Sequence, residues 1–160
     1  MERFHHLLSM PEYTEAQEKI DSLEKTRIYC GHSRNHCMDV ARIAYILVLE
    51  EQLAISKEMT YTTAFLHDIG RANEYLGQCS HESGSVLMAL NLLPKCGFED
   101  EEIQLICDAI ANHRQCGVQE EKTLADILYR ADKLSRDCAE CNAGSTCKWT
   151  AEEKNTVIQY

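Results

Sequence analysis

The adjacent residues His67 and Asp68 are the strongest chemical signal in the chain. They close the segment Ala64-Phe-Leu-His-Asp-Ile-Gly, in which an apolar stretch precedes the pair and a glycine that can allow a sharp turn follows it. Both side chains can therefore reach one metal ion from the end of a helix. Mixed imidazole and carboxylate ligands favour iron, manganese, nickel or zinc, whereas ligands of oxygen alone favour magnesium or calcium. The pair predicts a divalent transition metal, with magnesium as an alternative.

Three further residues that can bind a metal lie in line with apolar stripes. Each is three or four residues from an apolar position, and residues with that spacing share one face of a helix. The pairs are His36 with Val40, His113 with Ile110, and Asp132 with Leu128. A buried carboxylate without a partner is costly, so Asp132 on a face that points to the core is more informative than a histidine there.

Helices are the elements that must position these side chains. Only two prolines and seven glycines interrupt the chain, and no useful stretch alternates apolar with polar residues. The periodicity predicts an all-α fold of about six to seven helices. The predicted helices cover residues 11–28, 34–52, 58–69, 80–92, 99–114, 120–136 and 150–159.

Length and charge narrow the range of functions. A chain of 160 residues suffices for one domain with one core. The net charge of −10 argues against binding a nucleic-acid polymer, because contact with a phosphate backbone needs a basic face. No apolar run approaches the roughly 18 residues of a membrane span, and the first residues lack the apolar core of a signal peptide. We expect a cytoplasmic protein without membrane contact, and the sequence leaves its oligomeric state open.

Together these residues resemble the H…HD…D signature of the HD-domain superfamily. The matching segments are His36 in His-Cys-Met-Asp-Val-Ala-Arg, the pair His67 and Asp68, and Asp132 in Tyr-Arg-Ala-Asp-Lys-Leu. The resemblance covers about residues 30–136, with matching order, spacing and helical context. It implies one HD-domain helical bundle over residues 1–160, in which 137–160 form a cysteine-containing loop and a final helix. It also implies hydrolysis of a phosphate ester or anhydride of a nucleotide or a related small phosphorylated metabolite.

Two other histidines are similar to ligands of the two-metal branch of this superfamily, which includes symmetrical diadenosine tetraphosphate hydrolases. They are His81 in Ser-His-Glu-Ser-Gly-Ser and His113 in Ile-Ala-Asn-His-Arg. By that resemblance the first metal binds His36, His67, Asp68 and Asp132, and the second binds Asp68, His81 and His113. The stretch between the His-Asp pair and His81 is shorter here, so the chain binds one or two metals. The alternative is that His81 and His113 face the phosphate.

Such a metal polarises a phosphoryl oxygen and lowers the pKa of bound water from about 15.7 to about 7. The resemblance therefore makes His67 and Asp68 the catalytic candidates, with Asp68 also able to orient the water. Four cations lie within four residues of an expected ligand, namely Arg71, Arg114, Lys133 and Arg136. Guanidinium groups bind phosphate with two hydrogen bonds, so these cations can supply a local positive field. We expect Arg71 and Lys133 to bind substrate rather than to hold the fold, and His32 to line the same pocket.

The chain has nine cysteines, and without an export signal they are expected to be reduced thiols. Cys138, Cys141 and Cys147 have the spacing C-x2-C-x5-C, but a closed zinc or iron–sulfur site generally needs a fourth ligand. No residue nearby in the sequence provides one, although the distant Cys30 or Cys116 could. The sequence favours reduced thiols in a polar loop and leaves their role open.

Two other functions remain as alternatives. A non-catalytic HD-like module could bind a ligand or a signalling partner, but such a module has no chemical reason to keep several charged groups at one buried point. A dinuclear-iron oxygenase is a third interpretation, since some relatives in the superfamily activate dioxygen. A full set of ligands favours the phosphohydrolase.

Overall fold

Eight α-helices and one 3₁₀ turn form the part of the chain that the computed structural model describes, residues 1–114 and 122–160. The helices are α1 (Glu2–Ser9), α2 (Pro11–Leu23), α3 (Arg34–Glu50), α4 (Lys57–Leu66), α5 (Arg71–Tyr75), α6 (His81–Leu92), α7 (Asp100–Asn112) and α8 (Leu124–Leu134), with the 3₁₀ turn at Pro94–Cys96. No strand occurs in these residues, so the all-α prediction is confirmed. Within the same ranges, every helix is too short or too polar to cross a membrane.

The helices that carry the site begin at hydroxyl side chains. Ser33 caps α3 by accepting a hydrogen bond from the backbone of His36, and Ser80 caps α6 by accepting one from Ser83. Thr123 caps α8 in the same way. A cap of this kind contributes about 1 kcal/mol and fixes the residue at which a helix begins. The caps therefore set the positions of His36 and His81 in the first turns of their helices.

The central helix α3 packs most extensively against α4 and α8, while α6 packs against α7. The apolar stripes read from the sequence lie in this core. Their members are all buried: Val40, Ile43, Leu47, Ile103, Ile106, Ile110, Leu124 and Leu128. The helix faces that carry His36, His113 and Asp132 therefore point toward one interior, as predicted.

Helix α1 was not predicted, because its eight residues owe their stability to tertiary contacts rather than to a long apolar pattern. The ring of Phe4 packs edge-on against Phe65, with centroids 5.0 Å apart. Arg3 forms ion pairs with Glu58 at 2.9 Å and with Glu102 at 2.6 Å. The helix thus joins α4 to α7.

The predicted helix at 150–159 is wrong, since residues 135–160 contain turns and no helix. Helix-forming residues such as Glu152 and Lys154 gave the wrong indication, because the apolar residues that follow them have no core to enter. Val157 and Ile158 are 69% and 70% exposed. Intrinsic preference is a weak guide when no apolar face is buried. The start of the predicted helix 120–136, at residues 120 and 121, lies outside the described residues.

Candidate metal centre

His67 and Asp68 lie in the turn between α4 and α5. This turn is fixed to α6 by two hydrogen bonds, because Gly70 N donates to Ser85 Oγ and Ser85 Oγ donates to the His67 carbonyl, both at 2.9 Å. The φ of Gly70 is −80°, which any residue can adopt. A Cβ at this position would lie 2.3 Å from the His81 carbonyl oxygen. The glycine is needed for the close approach of α6, not for the sharp turn that the sequence suggested.

The four residues of the first predicted set come together from three parts of the fold. They are His36 on α3, His67 and Asp68 in the turn, and Asp132 on α8, and one side-chain nitrogen or oxygen of each lies within 4.8 Å of all the others. His36 Nε2 lies 3.2 Å from Asp132 Oδ1, and His67 Nε2 lies 3.0 Å from Asp68 Oδ2. This arrangement of two imidazoles and two carboxylates has the size and donor types of a transition-metal site.

The second predicted set, Asp68, His81 and His113, also converges within 4.8 Å. His81 Nε2 lies 3.5 Å from Asp68 Oδ1, while Asp68 Oδ2 faces the first set. The two oxygens of one buried carboxylate are thus directed at the two sets. This is the arrangement required of a residue that would bridge two metals.

Hydrogen bonds at Nδ1 orient three of the imidazole rings. Nδ1 of His67 lies 2.7 Å from the Ala64 carbonyl oxygen, and Nδ1 of His113 lies 2.6 Å from that of Ile110. A carbonyl oxygen only accepts, so Nδ1 must carry the proton and the Nε2 lone pair is left to bind a metal. Nδ1 of His81 is held in the same way by Glu74, at 3.0 Å.

Two of these Nε2 atoms show that a metal fits the site. Nε2 of His67 and Nε2 of His81 are buried and have no hydrogen-bond partner among the described residues. Buried polar atoms in folded proteins nearly always have a partner, and an orphaned atom calls for an explanation such as an ion. A divalent cation held between these imidazole nitrogens and the ionised carboxylates would be the missing partner.

The electrostatics of the centre favour the protonation states that bind a metal. Burial, helped by the nearby Arg136 charge, lowers the pKa of His36 to about 4, and burial also lowers that of His113 to about 4. Burial alone would raise the pKa of Asp68, but the charges of His67 and Arg71 hold it well below its ordinary value. At neutral pH the centre therefore presents neutral imidazoles at His36 and His113 and an ionised carboxylate at Asp68.

The pKa of His67 moves in the opposite direction. Burial would lower it, but the charges of Asp68 and Asp132 raise it above its ordinary value. The two carboxylates thus favour a positive charge at this buried position. A divalent cation satisfies the same field more strongly than one proton.

The metal centre opens into a cavity of about 650 Å³. Six cationic side chains line it. Four were predicted from the sequence, namely Arg71, Arg114, Lys133 and Arg136. The other two, Arg27 and Lys148, were not predicted. Asp132 and Glu153 are its only carboxylates within the described ranges. Cationic side chains therefore outnumber carboxylates in the lining of this cavity, although the chain as a whole has a net charge of −10.

Two of the arginines also hold residues of the centre. Arg71 Nε donates to Asp68 Oδ1 at 2.8 Å, and its guanidinium also pairs with Glu74 at 2.9 Å. Arg136 lies 3.3 Å from Asp132 Oδ1 and donates to the Gly31 carbonyl at 2.6 Å. Arg71 thus has a structural part that the sequence did not indicate.

The other two predicted cations are less constrained. Arg114 is half exposed and pairs with Glu82 at 3.0 Å. Lys133 Nζ lies 3.5 Å from the ring centroid of Trp149, and in the described parts of the chain it forms no ion pair. Its charge is therefore available to an anion in the cavity.

His32 lines the same cavity. Its Nδ1 lies 2.5 Å from Glu24 Oε1, and its Nε2 lies 3.7 Å from Asp68 Oδ2. Burial would raise the pKa of Glu24, but hydrogen bonds from His32 and Tyr75 lower it to about 2. The ionised Glu24 thus holds His32 in the wall of the cavity, facing the metal centre.

Sequence reasoning missed the aromatic residues of the cavity, Tyr29, Tyr129 and Trp149. Trp149 is half-buried in the cavity wall. The only sign in the sequence that Trp149 could belong to the cavity is that it lies two residues after Cys147, in a segment without apolar periodicity. Glu74 was also missed, although it supports His81 from the end of α5.

Comparison with known proteins agrees with this geometry. Residues 34–137 match the family model of the HD domain. A protein of Clostridium beijerinckii, described as uncharacterized, is 39% identical over 160 residues, and the match covers 100% of both chains. The crystal structure of a predicted HD superfamily hydrolase from an uncultured Thermotogales bacterium matches with a TM-score of 0.62 at 23% identity, covering 96% of this chain and 87% of that one.

At that identity the likeness to the solved structure shows a shared fold. The branch of symmetrical diadenosine tetraphosphate hydrolases is distinguished by none of these matches, so that part of the resemblance stays a prediction. The matched region contains His36, His67, Asp68 and Asp132 and extends over more than half of the chain. The protein therefore belongs to the HD domain family.

Proposed function

We propose that this protein is a metal-dependent phosphohydrolase that cleaves a phosphate ester or anhydride of a nucleotide or a related small phosphorylated metabolite. The observation that carries the proposal is the convergence of His36, His67, Asp68 and Asp132 beneath a cavity lined by six cations. The Thermotogales protein of the same fold is described as a predicted HD superfamily hydrolase, which supports the same class of reaction.

A divalent transition metal bound by these four residues would polarise a phosphoryl oxygen and lower the pKa of a water molecule. The ionised Asp68 would orient that water by accepting a hydrogen bond from it. Arg136 would bind a phosphoryl oxygen, because its Nε is buried and has no hydrogen-bond partner in the described residues. A guanidinium N–H group forms a strong, charge-assisted hydrogen bond with the oxygen of a phosphate.

The volume and the aromatic lining of the cavity support a nucleotide as the substrate. Its volume of about 650 Å³ lies in the range of sites for small molecules. Tyr29, Tyr129 and Trp149 line it, and aromatic side chains stack on nucleobases of any sequence. Arg71 and Arg136, which contact Asp68 and Asp132, would bind the phosphates at the end nearest the metal. We infer that the base lies toward Trp149.

The test is a phosphate-release assay with protein loaded in turn with iron, manganese, nickel, zinc and magnesium. The substrates are nucleoside mono-, di- and triphosphates, dinucleoside polyphosphates and sugar phosphates. We expect release from at least one nucleotide, and we expect a chelator to stop it. Fully loaded protein that binds nucleotides without releasing phosphate would be a binding module. Uptake of dioxygen by the iron-loaded protein, with no phosphate release, would indicate the oxygenase.

The second metal is tested at His81 and His113. Replacing both with alanine should reduce the metal content of the His and Asp centre from about two ions per chain to about one, because the second set loses two of its three ligands. Elemental analysis of the reconstituted protein measures this change. Replacing the exposed His5 and His6 with alanine is the matched control and should leave about two ions. A content of one ion before and after the His81 and His113 substitutions would make these residues pocket groups instead.

Lys133 is the cation whose loss should affect substrate binding most selectively. Lys133→Ala should lower kcat/KM by about 10- to 100-fold, the value of one lost hydrogen bond to a charged group. The melting temperature and metal content should change little, because the side chain forms no ion pair within the described residues. Lys95→Ala, which removes an exposed lysine paired with Glu12, is the control. A large loss of stability with normal kinetics would exclude Lys133 from the phosphate pocket.

A further inference from the structure

His81 and His113, the two histidines of the second set, lie at helix ends that come close to each other. His81 is the first residue of α6, and His113 directly follows α7. Their imidazole rings lie with centroids 5.3 Å apart. Because α6 and α7 pack against each other, a movement of one helix end relative to the other changes the distance between the two histidines. The geometry of the second set therefore depends on what fixes these two ends.

An ion pair joins the residues that directly follow these two histidines. Arg114 Nη1 donates to Glu82 Oε1 at 3.0 Å and so connects the end of α7 to the first turn of α6. The Arg114 side chain is 50% exposed, and that of Glu82 is 17% exposed. A pair with so much access to water contributes little to the stability of a fold. Its place beside two expected ligands indicates a role in the geometry of the second set.

The other oxygen of Glu82 faces the imidazole of His81. Glu82 Oε2 lies 3.3 Å from His81 Nδ1, and Glu74 Oε1 accepts a hydrogen bond from the same nitrogen at 3.0 Å. His81 Nδ1 therefore lies between two carboxylates, while its Nε2 faces Asp68. A carboxylate behind an imidazole fixes the orientation of the ring and makes the other nitrogen a stronger ligand for a metal. Glu82 thus acts on His81 directly and is itself held by Arg114.

Glu74, His81 and Glu82 could instead form a metal set of their own, since their ligand atoms also lie within 4.8 Å of one another. Both carboxylates, however, already pair with arginines, Glu74 with Arg71 at 2.9 Å and Glu82 with Arg114 at 3.0 Å. A further cation would have to displace these guanidinium groups and the proton on His81 Nδ1. The arrangement therefore fits the orientation of His81 better than a third metal.

We propose that Glu82 and Arg114 are positioning residues for the second metal, Glu82 by orienting His81 and Arg114 by holding Glu82. The inference rests on the second metal of the proposed function and goes beyond it, because it gives Arg114 a part in metal binding. The sequence placed Arg114 only among the cations that would bind phosphate. The first set lies on α3, on α8 and in the turn between α4 and α5, so its metal should not depend on this pair.

The experiment titrates metal-free protein with Mn²⁺ alone and follows binding by calorimetry. The ion that is lost in His81→Ala/His113→Ala protein is the second one. Glu82→Gln should weaken binding of the second ion by about 10- to 100-fold, the usual effect of losing a carboxylate that orients a metal-binding histidine. Arg114→Ala should also weaken it, and Arg114→Lys, which keeps the charge but not the planar guanidinium, should retain part of the affinity. The first ion should bind as in wild type.

A double variant tests whether Arg114 acts through Glu82. If it does, Glu82→Gln/Arg114→Ala protein should bind the second ion no more weakly than Glu82→Gln protein, because residues that act as one unit are not additive. Glu12→Gln is the matched control, since Glu12 forms a similar ion pair with Lys95 outside the metal sets. This variant should bind both ions as wild type does.

Four results would overturn the proposal. The first is an unchanged affinity for the second ion in Glu82→Gln and Arg114→Ala protein, and a higher KM of the latter would then return Arg114 to the phosphate pocket. The second is an equal weakening of both ions, which would indicate a general structural effect. The third is additive losses in the double variant. The fourth is wild-type protein that binds only one Mn²⁺, and phosphate release by that protein would still leave the proposed hydrolysis intact.

Discussion

Replacing Asp68 with alanine is expected to abolish metal binding at the His and Asp centre, and phosphate release with it, while the chain remains helical. Asp68 is the one residue shared by both candidate metal sets, with one oxygen directed at each. Its loss therefore removes a ligand from both of these sets at once. Activity should fall by at least about a thousandfold, since a catalytic metal contributes several kcal/mol and each 1.36 kcal/mol is a factor of about ten.

Elemental analysis after reconstitution and the phosphate-release assay measure these two effects, and far-ultraviolet circular dichroism measures the helix content. Asp39→Ala is the control, because this aspartate lies on α3 but is exposed and more than half accessible. It should keep wild-type metal content and activity. Asp68→Ala protein that keeps the metal content of wild type and hydrolyses substrate normally would contradict the assignment of the centre.

The positions of His36 and Asp132 could be predicted because each lies in line with a buried stripe. The helical period fixes the direction of a side chain once the face that enters the core is known. The sequence therefore indicated that these residues converge, and the structure brings them within 3.2 Å. The approach of His81 to Asp68 depends instead on the contact of Gly70 with α6. A spacing in the sequence does not reveal a contact of that kind.

The segment after α8 could not be predicted for a different reason. It has no apolar period from which to deduce a direction, and its contacts are hydrogen bonds to distant carbonyl groups. Arg27 and Tyr29 were missed on the same ground, since they lie in the loop before α3. Side chains in loops are placed by the surrounding scaffold, and sequence alone gives their type but not their position.

The second large effect is expected at Arg71, whose role differs from that of Lys133. Its side chain is 17% exposed and pairs at 2.8 Å with Asp68, which is almost fully buried. Breaking a buried ion pair by removing one partner leaves the other charge without compensation. Arg71→Ala should therefore lower the free energy of unfolding of metal-free protein by about 3–5 kcal/mol. It should also lower kcat/KM, because the guanidinium lines the cavity.

A metal ion should restore much of this lost stability, and that reversal identifies the cause. A bound divalent cation compensates the charge of Asp68, so saturating metal should stabilise Arg71→Ala protein by more than it stabilises wild type. Urea unfolding of both proteins, with chelator and with saturating metal, measures the difference. Arg42→Ala removes the exposed pair with Asp39 and should cost less than about 1 kcal/mol under either condition. Metal-free Arg71→Ala protein as stable as wild type would show that Arg71 acts on the substrate alone.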